Sequence, residues 1–134
     1  MSETIKTGSC MCGQVHYEVR GELRPVCACH CTLCRKSSGH YVAATSAPNE
    51  NLTVHGDSLR WYKSSDYAER AFCGNCGGNL FYRPFGKGST SIFAGTLDGD
   101  TGLKIESQLY PEDKGDYYEL PDVPVIDQSE LSAG

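Results

Sequence analysis

The sequence predicts a single, mainly β domain with one short helix, made rigid by cross-links more than by a large core. Three observations lead there. Apolar and polar residues alternate from Gln14 to Arg20, with Val15, Tyr17 and Val19 on one side and His16, Glu18 and Arg20 on the other. That period of two is the mark of a half-buried strand. Further short runs rich in Val, Tyr, Phe, Trp and Thr are separated by Gly, Pro, Asn and Asp. Finally, 134 residues contain eight cysteines and 15 glycines and are only 39% hydrophobic, so one modest core needs help from cross-links.

Taken in order, the strand through Gln14–Arg20 is followed by a second through Leu23–Cys29. Pro25 lacks an amide hydrogen, which makes that strand short or places it at an edge. Cys31 to Ser38 suits a helix of about two turns, and Gly39 ends it, since glycine accepts the left-handed conformation. Strands are expected over His40–Ser46, Asn51–His55, Ser58–Lys63, Glu69–Cys73, Asn79–Arg83, Ser91–Ala94 and Lys104–Tyr110. Gly95 to Asp100 reads as a turn or loop. Past Pro111 the chain becomes acidic and carries Pro121 and Pro124, and residues from about 125 to 134 read as a loose tail. There is no repeat, and residues 1–134 read as one domain.

An even cysteine count in a short chain means disulfides or metal. The N-terminal stretch from Met1 to Gly8 has no apolar run, and no segment of about 18 apolar residues occurs. The expectation is a cytoplasmic protein, where thiols stay reduced and clustered cysteines hold metal. The formal net charge is -5 and no basic face is visible, so neither nucleic acid nor membrane is expected as a partner.

The cysteines fall into two groups. Cys10-Met11-Cys12 and Cys73-Gly74-Asn75-Cys76 are distant pairs, each followed by glycine. Their spacing lets both thiolates of a pair turn onto one ion, and the glycines let backbone N–H groups approach the sulfurs. Four thiolates close a tetrahedral zinc shell, which is a structural site. A thioredoxin-like redox pair would need a βαβ pattern that is missing here.

The second group is Cys27-Ala28-Cys29-His30-Cys31-Thr32-Leu33-Cys34. Five potential ligands in eight residues cannot all bind one zinc. Cys29, Cys31 and Cys34 are the economical set and leave a fourth position open, as in catalytic zinc sites. Cys27 lies in phase with Cys29 and competes as a ligand. His30 faces the other way on an extended strand and is expected to be solvated or hydrogen-bonded. Arg35 and Lys36 either form an exposed helix face or attract an anionic thiol and its carboxylates. Ser37 and Ser38 read as helix-end residues. His16, His40 and His55 read as isolated, and Tyr62, Tyr82, Tyr110, Tyr117 and Tyr118 as ordinary strand and core positions.

Four segments carry a resemblance: Gly8-Ser9-Cys10-Met11-Cys12-Gly13, Cys29 to Gly39, Phe72 to Leu80, and Ala94 to Asp98. Over roughly residues 8 to 110 the chain resembles the glutathione-dependent formaldehyde-activating enzymes, a family that includes the centromere protein V domain. The resemblance implies small coiled antiparallel sheets around cysteine-ligated zinc. It implies a structural zinc on Cys10, Cys12, Cys73 and Cys76 and a second zinc on Cys29, Cys31 and Cys34. It also implies a carbon–sulfur lyase that joins glutathione, as co-substrate, to formaldehyde, giving S-hydroxymethylglutathione. Another thiol or a larger electrophile would keep the same chemistry. Two non-catalytic readings stand beside it. One is a zinc-dependent interaction module whose second site is closed by Cys27. The other is a redox or zinc sensor in which the Cys27–Cys34 cluster releases metal on oxidation.

Overall fold

The structure is a computed structural model that describes residues 4–127. The strands are β1 (Ile5–Ser9), β2 (His16–Arg20), β3 (Val26–Cys29), β4 (Val42–Pro48), β5 (Leu52–His55) and β6 (Leu59–Lys63). They continue as β7 (Ala68–Cys73), β8 (Asn79–Pro84), β9 (Ser89–Phe93) and β10 (Ile105–Leu109), and helix α1 covers Thr32–Ser38. A three-stranded antiparallel sheet has the order β1-β2-β5, and a seven-stranded sheet runs β10-β3-β4-β9-β8-β7-β6. The protein is therefore mainly β, as expected, but one sheet is large and its β10–β3 edge is parallel. Parallel pairing needs a long crossover, and here most of the chain lies between the two partners.

Strand β1 was not anticipated. Ile5-Lys6-Thr7-Gly8-Ser9 contains one large apolar residue, and Ile5 is exposed, so no alternation marks the strand. It exists because β2 offers it a ladder, pairing Ile5 with Arg20 through Ser9 with His16. Pro25 acts as expected, with β3 starting just after it. The C-terminal segment is better tied than a loose tail: the Gln108 N–H donates to the Pro124 carbonyl, and the Ile126 N–H donates back to Gln108. The rest of the expected tail, residues 128–134, lies outside the described residues. No helix among the described residues is long and apolar enough to cross a membrane.

The two sheets share one core. Tyr17 and Val19 from the small sheet, with Val15 just before β2, pack with Leu80, Phe81 and Ile92 from the large one. The Tyr17 ring meets Phe81 edge-on, and its hydroxyl lies 2.7 Å from Thr96 Oγ1. Gly8 on β1 sits so close to Tyr17 that an added Cβ would collide with the phenol and with the Thr96 carbonyl. Gly8→Ala should therefore destabilise the fold by about 1–3 kcal/mol through overpacking. Urea unfolding would register this as a lower midpoint, and an unchanged midpoint would contradict the packing.

Burial pushes the Tyr17 phenol up from its usual 10 to about 12. The folded state then holds this proton more tightly than the unfolded chain. Tyr17 leaves stability unaffected below pH 10 and removes some of it between pH 10 and 12. Over that window Tyr17→Phe should lose less stability than the parent in pH-dependent denaturation.

Candidate metal centres and active site

The β1–β2 and β7–β8 turns build the first centre. Cys10 and Cys12 follow β1, where the Cys10 N–H bonds the Val15 carbonyl at 3.0 Å and Gly13 takes φ 80°. Cys73 ends β7, and its carbonyl accepts from the Gly77 N–H at 2.7 Å, again at φ 80°. Those left-handed backbones suit glycine, which explains the glycine after each pair. The four sulfurs all lie within 4.8 Å of one another. Cys10 and Cys12 are 3.7 Å apart, and Cys12 and Cys73 are 3.8 Å apart. Zinc–sulfur bonds of about 2.3 Å at tetrahedral angles put sulfurs about 3.8 Å apart, so the donor set fits zinc.

The surroundings suit thiolates. Cys73 Sγ accepts backbone N–H groups from Asn75 at 3.3 Å and Cys76 at 3.5 Å, and the Asn75 amide reaches Cys12 Sγ at 3.2 Å. Backbone N–H groups of Gly78 and Cys12 hold Cys76 down to about 6. None of the eight cysteines is in a disulfide.

The second centre lies where β3 runs into α1. Cys29, Cys31 and Cys34 place their sulfurs within 4.8 Å of one another. Cys31 is the helix N-cap, its sulfur accepting the Cys34 N–H at 3.4 Å. The thiols of Cys29 and Cys34 bond the same sulfur and push the Cys31 pKa down to about 2. Cys29 is raised correspondingly by its bonds to Cys31 and Cys34 and by burial. A metal cation would displace the protons that Cys29 and Cys34 still hold. Cys27 lines the same cavity, beside Arg24, but is not part of this sulfur triad.

The triad opens into a cavity of about 260 Å³. Its walls are largely apolar, with Leu33, Val42 and Phe93 among them, and two arginines, Arg24 and Arg70, intrude. Both terminal nitrogens of Arg70 lie 3.7 Å from Cys34 Sγ, and its guanidinium rests 5.0 Å above the Tyr82 ring.

The chain as a whole is similar to known proteins. The profile of the glutathione-dependent formaldehyde-activating enzymes covers residues 5–113. The chain belongs to that family. An uncharacterized lyase of Schizosaccharomyces pombe is 30% identical over 114 residues, spanning 84% of this chain and 83% of the relative. A Halomonas elongata protein, named provisionally as a glutathione-dependent formaldehyde-activating enzyme, is 31% identical over 124 residues, spanning 84% of this chain and 79% of its own. A crystal structure of a Rhodobacter sphaeroides protein is similar with a TM-score of 0.62 at 25% identity, covering 90% of this chain and 99% of the other. With its family, the chain is a carbon–sulfur lyase-like enzyme.

In this glutathione-dependent formaldehyde-activating family member, other expected residues have definite places. Neither Arg35 nor Lys36 lines the cavity. Arg35 Nε donates to the Asp113 carbonyl at 3.0 Å, and Lys36 is exposed. Ser37 and Ser38 return their hydroxyls to the Cys34 carbonyl, as helix-end residues do. His16 and His55 are not isolated, since their rings stack across β2 and β5 at 5.2 Å.

His30 is fully buried and hydrogen-bonded. Its Nδ1 is 2.8 Å from the Tyr118 hydroxyl and its Nε2 is 3.0 Å from Gln108 Oε1. Gln108 Nε2 donates to the carbonyls of Pro121 and Val123, which fixes the amide's orientation. His30 Nε2 must then carry the hydrogen, and Nδ1 accepts from Tyr118. This network clamps the backbone between Cys29 and Cys31 from behind. Arg24, Arg70, Gln108, Tyr110 and Tyr118 were all missed at the sequence level as site residues. Tyr110 and Tyr118 read there as ordinary strand and core positions, and Arg24, Arg70 and Gln108 carry no signal.

Proposed function

We propose that the protein is a zinc enzyme that joins glutathione to formaldehyde, giving S-hydroxymethylglutathione, and catalyses the reverse cleavage. One observation carries this reading: three cysteine sulfurs, within 4.8 Å of one another, stand in the wall of a cavity with room for a ligand. Cys29, Cys31 and Cys34 would hold the catalytic zinc, and Cys10, Cys12, Cys73 and Cys76 a structural one. When bound, zinc keeps an incoming thiol deprotonated near neutral pH. Arg70 balances the negative charge gathered on the sulfurs, a role the sequence suggested for Arg35 and Lys36. The apolar walls limit water, which strengthens each polar contact inside. A scaffold would need its second site closed by Cys27, but Cys27 is not among the clustered sulfurs of the triad.

Two-dimensional exchange NMR of glutathione with formaldehyde tests the reading. The adduct also forms without a catalyst, so rates with and without zinc-loaded protein must be compared. Clear acceleration is expected. Equal rates would sink the named activity and favour another thiol, another electrophile or a binding role.

A further inference from the structure

Tyr110 has φ 55° and ψ 52°, the single positive φ outside glycine among the described residues. A left-handed backbone costs a side-chain-bearing residue about 1–2 kcal/mol, and Pro111 next in the chain favours an extended conformation instead. Such a departure persists only where its surroundings enforce it, and its place is informative.

The enforcing contacts are visible. Strand β10 pairs Leu109 with Cys29, and the His30 N–H bonds the Leu109 carbonyl at 3.0 Å. On the other side the Asp113 N–H returns to the Tyr110 carbonyl at 3.1 Å, and Arg35 holds the Asp113 carbonyl. An extended chain sends consecutive side chains to opposite faces. Leu109 and Tyr110 nevertheless both line the cavity that holds the cysteine triad. The left-handed turn thus delivers a phenol to the thiol cavity at the end of the strand that braces Cys29.

Building on the reading above, we infer that Tyr110 is a catalytic residue that donates its O–H to the carbonyl oxygen of the aldehyde. The substrate sulfur forms a bond to the carbonyl carbon while the C=O π pair moves onto oxygen. Tyr110 stabilises the resulting alkoxide by hydrogen bonding. The proton that the thiol gave up returns from solvent to that oxygen, so glutathione and aldehyde sum to the hydroxymethyl thioether. The reverse cleavage passes through the same alkoxide.

The test uses zinc-loaded protein, Tyr110→Phe and, as control, Tyr62→Phe, an exposed phenol on β6 that does not line the cavity. Removing one such donor costs about 10²–10³ in kcat. Tyr110→Phe should lose that much with KM for both substrates within about twofold, zinc content unchanged by elemental analysis, and the circular dichroism of the parent. Tyr62→Phe should keep its kcat. An activity-independent arm compares binding of S-(2-hydroxyethyl)glutathione and S-ethylglutathione by calorimetry. The parent should prefer the hydroxyl-bearing ligand about tenfold, and Tyr110→Phe should lose the preference. Acceleration by the parent with an undiminished kcat in Tyr110→Phe would overturn the inference and spare the proposed function. A parent that neither accelerates exchange nor prefers the hydroxyl ligand would overturn both. Tyr110→Gly adds a contrast: thermal stability should rise from relieved strain while kcat falls.

Discussion

Replacing Cys73 with serine should leave a chain that no longer folds cooperatively at 25 °C and binds one zinc fewer. Cys73 is fully buried, belongs to the shared core and accepts two backbone N–H groups at its sulfur. Its centre ties the turn after β1 to the turn after β7, so it holds the small sheet to the large one. Structural zinc sites bind with about 10–16 kcal/mol, and that energy is folding energy. Whole domains are stable by only about 5–15 kcal/mol. Losing the site therefore removes as much as the fold has. Thermal melts followed by circular dichroism, with elemental analysis, would measure this, and a strong chelator should reproduce it on the parent. A variant that loses one zinc yet melts at the parent temperature would show that this centre does not carry the fold.

Replacing Cys31 should do the opposite, removing activity while the fold survives. Cys31 stands between Cys29 and Cys34 in the triad, and its pKa is the one of the three that is lowered. Without it two sulfurs remain, too few to hold zinc in the wall of the cavity. Cys31→Ala should lower the rate of glutathione–formaldehyde exchange at least 100-fold, on the scale of losing a group that acts in the transition state. Zinc content should drop by one ion. Stability should fall by only about 0.5–2 kcal/mol, because Cys31 also caps α1. Cys31→Ser separates the two roles, since a serine oxygen caps a helix well but is a poor soft ligand for zinc. It should recover the stability and not the activity. Full activity in either variant would remove the triad from the mechanism.

Much of this was legible locally. The alternation in β2 named the residues it buries, and Pro25 and Gly39 marked where β3 begins and α1 ends. Strand β1 was not legible, because its order comes from the ladder with β2 rather than from its own apolar residues. Arg70 was not legible as a cavity residue either. The register slips between Ala71 and Phe72 on the ladder to β8, and a bulge re-aims side chains in a way that period two cannot follow.

The sequence by itself determined the two thiol groups, the short helix that carries Cys34 and the β character of the chain. Each of those rests on spacings of a few residues, which local backbone geometry converts directly into proximity. Tertiary structure alone decided what surrounds the thiols. Arg24, Arg70, Tyr82 and Tyr110 reach the cavity from separate elements far apart in the chain, and the parallel pairing of β10 with β3 is what sets Tyr110 beside Cys29. Such long-range pairing depends on the register of whole strands around a common core, and no short stretch of sequence contains that information.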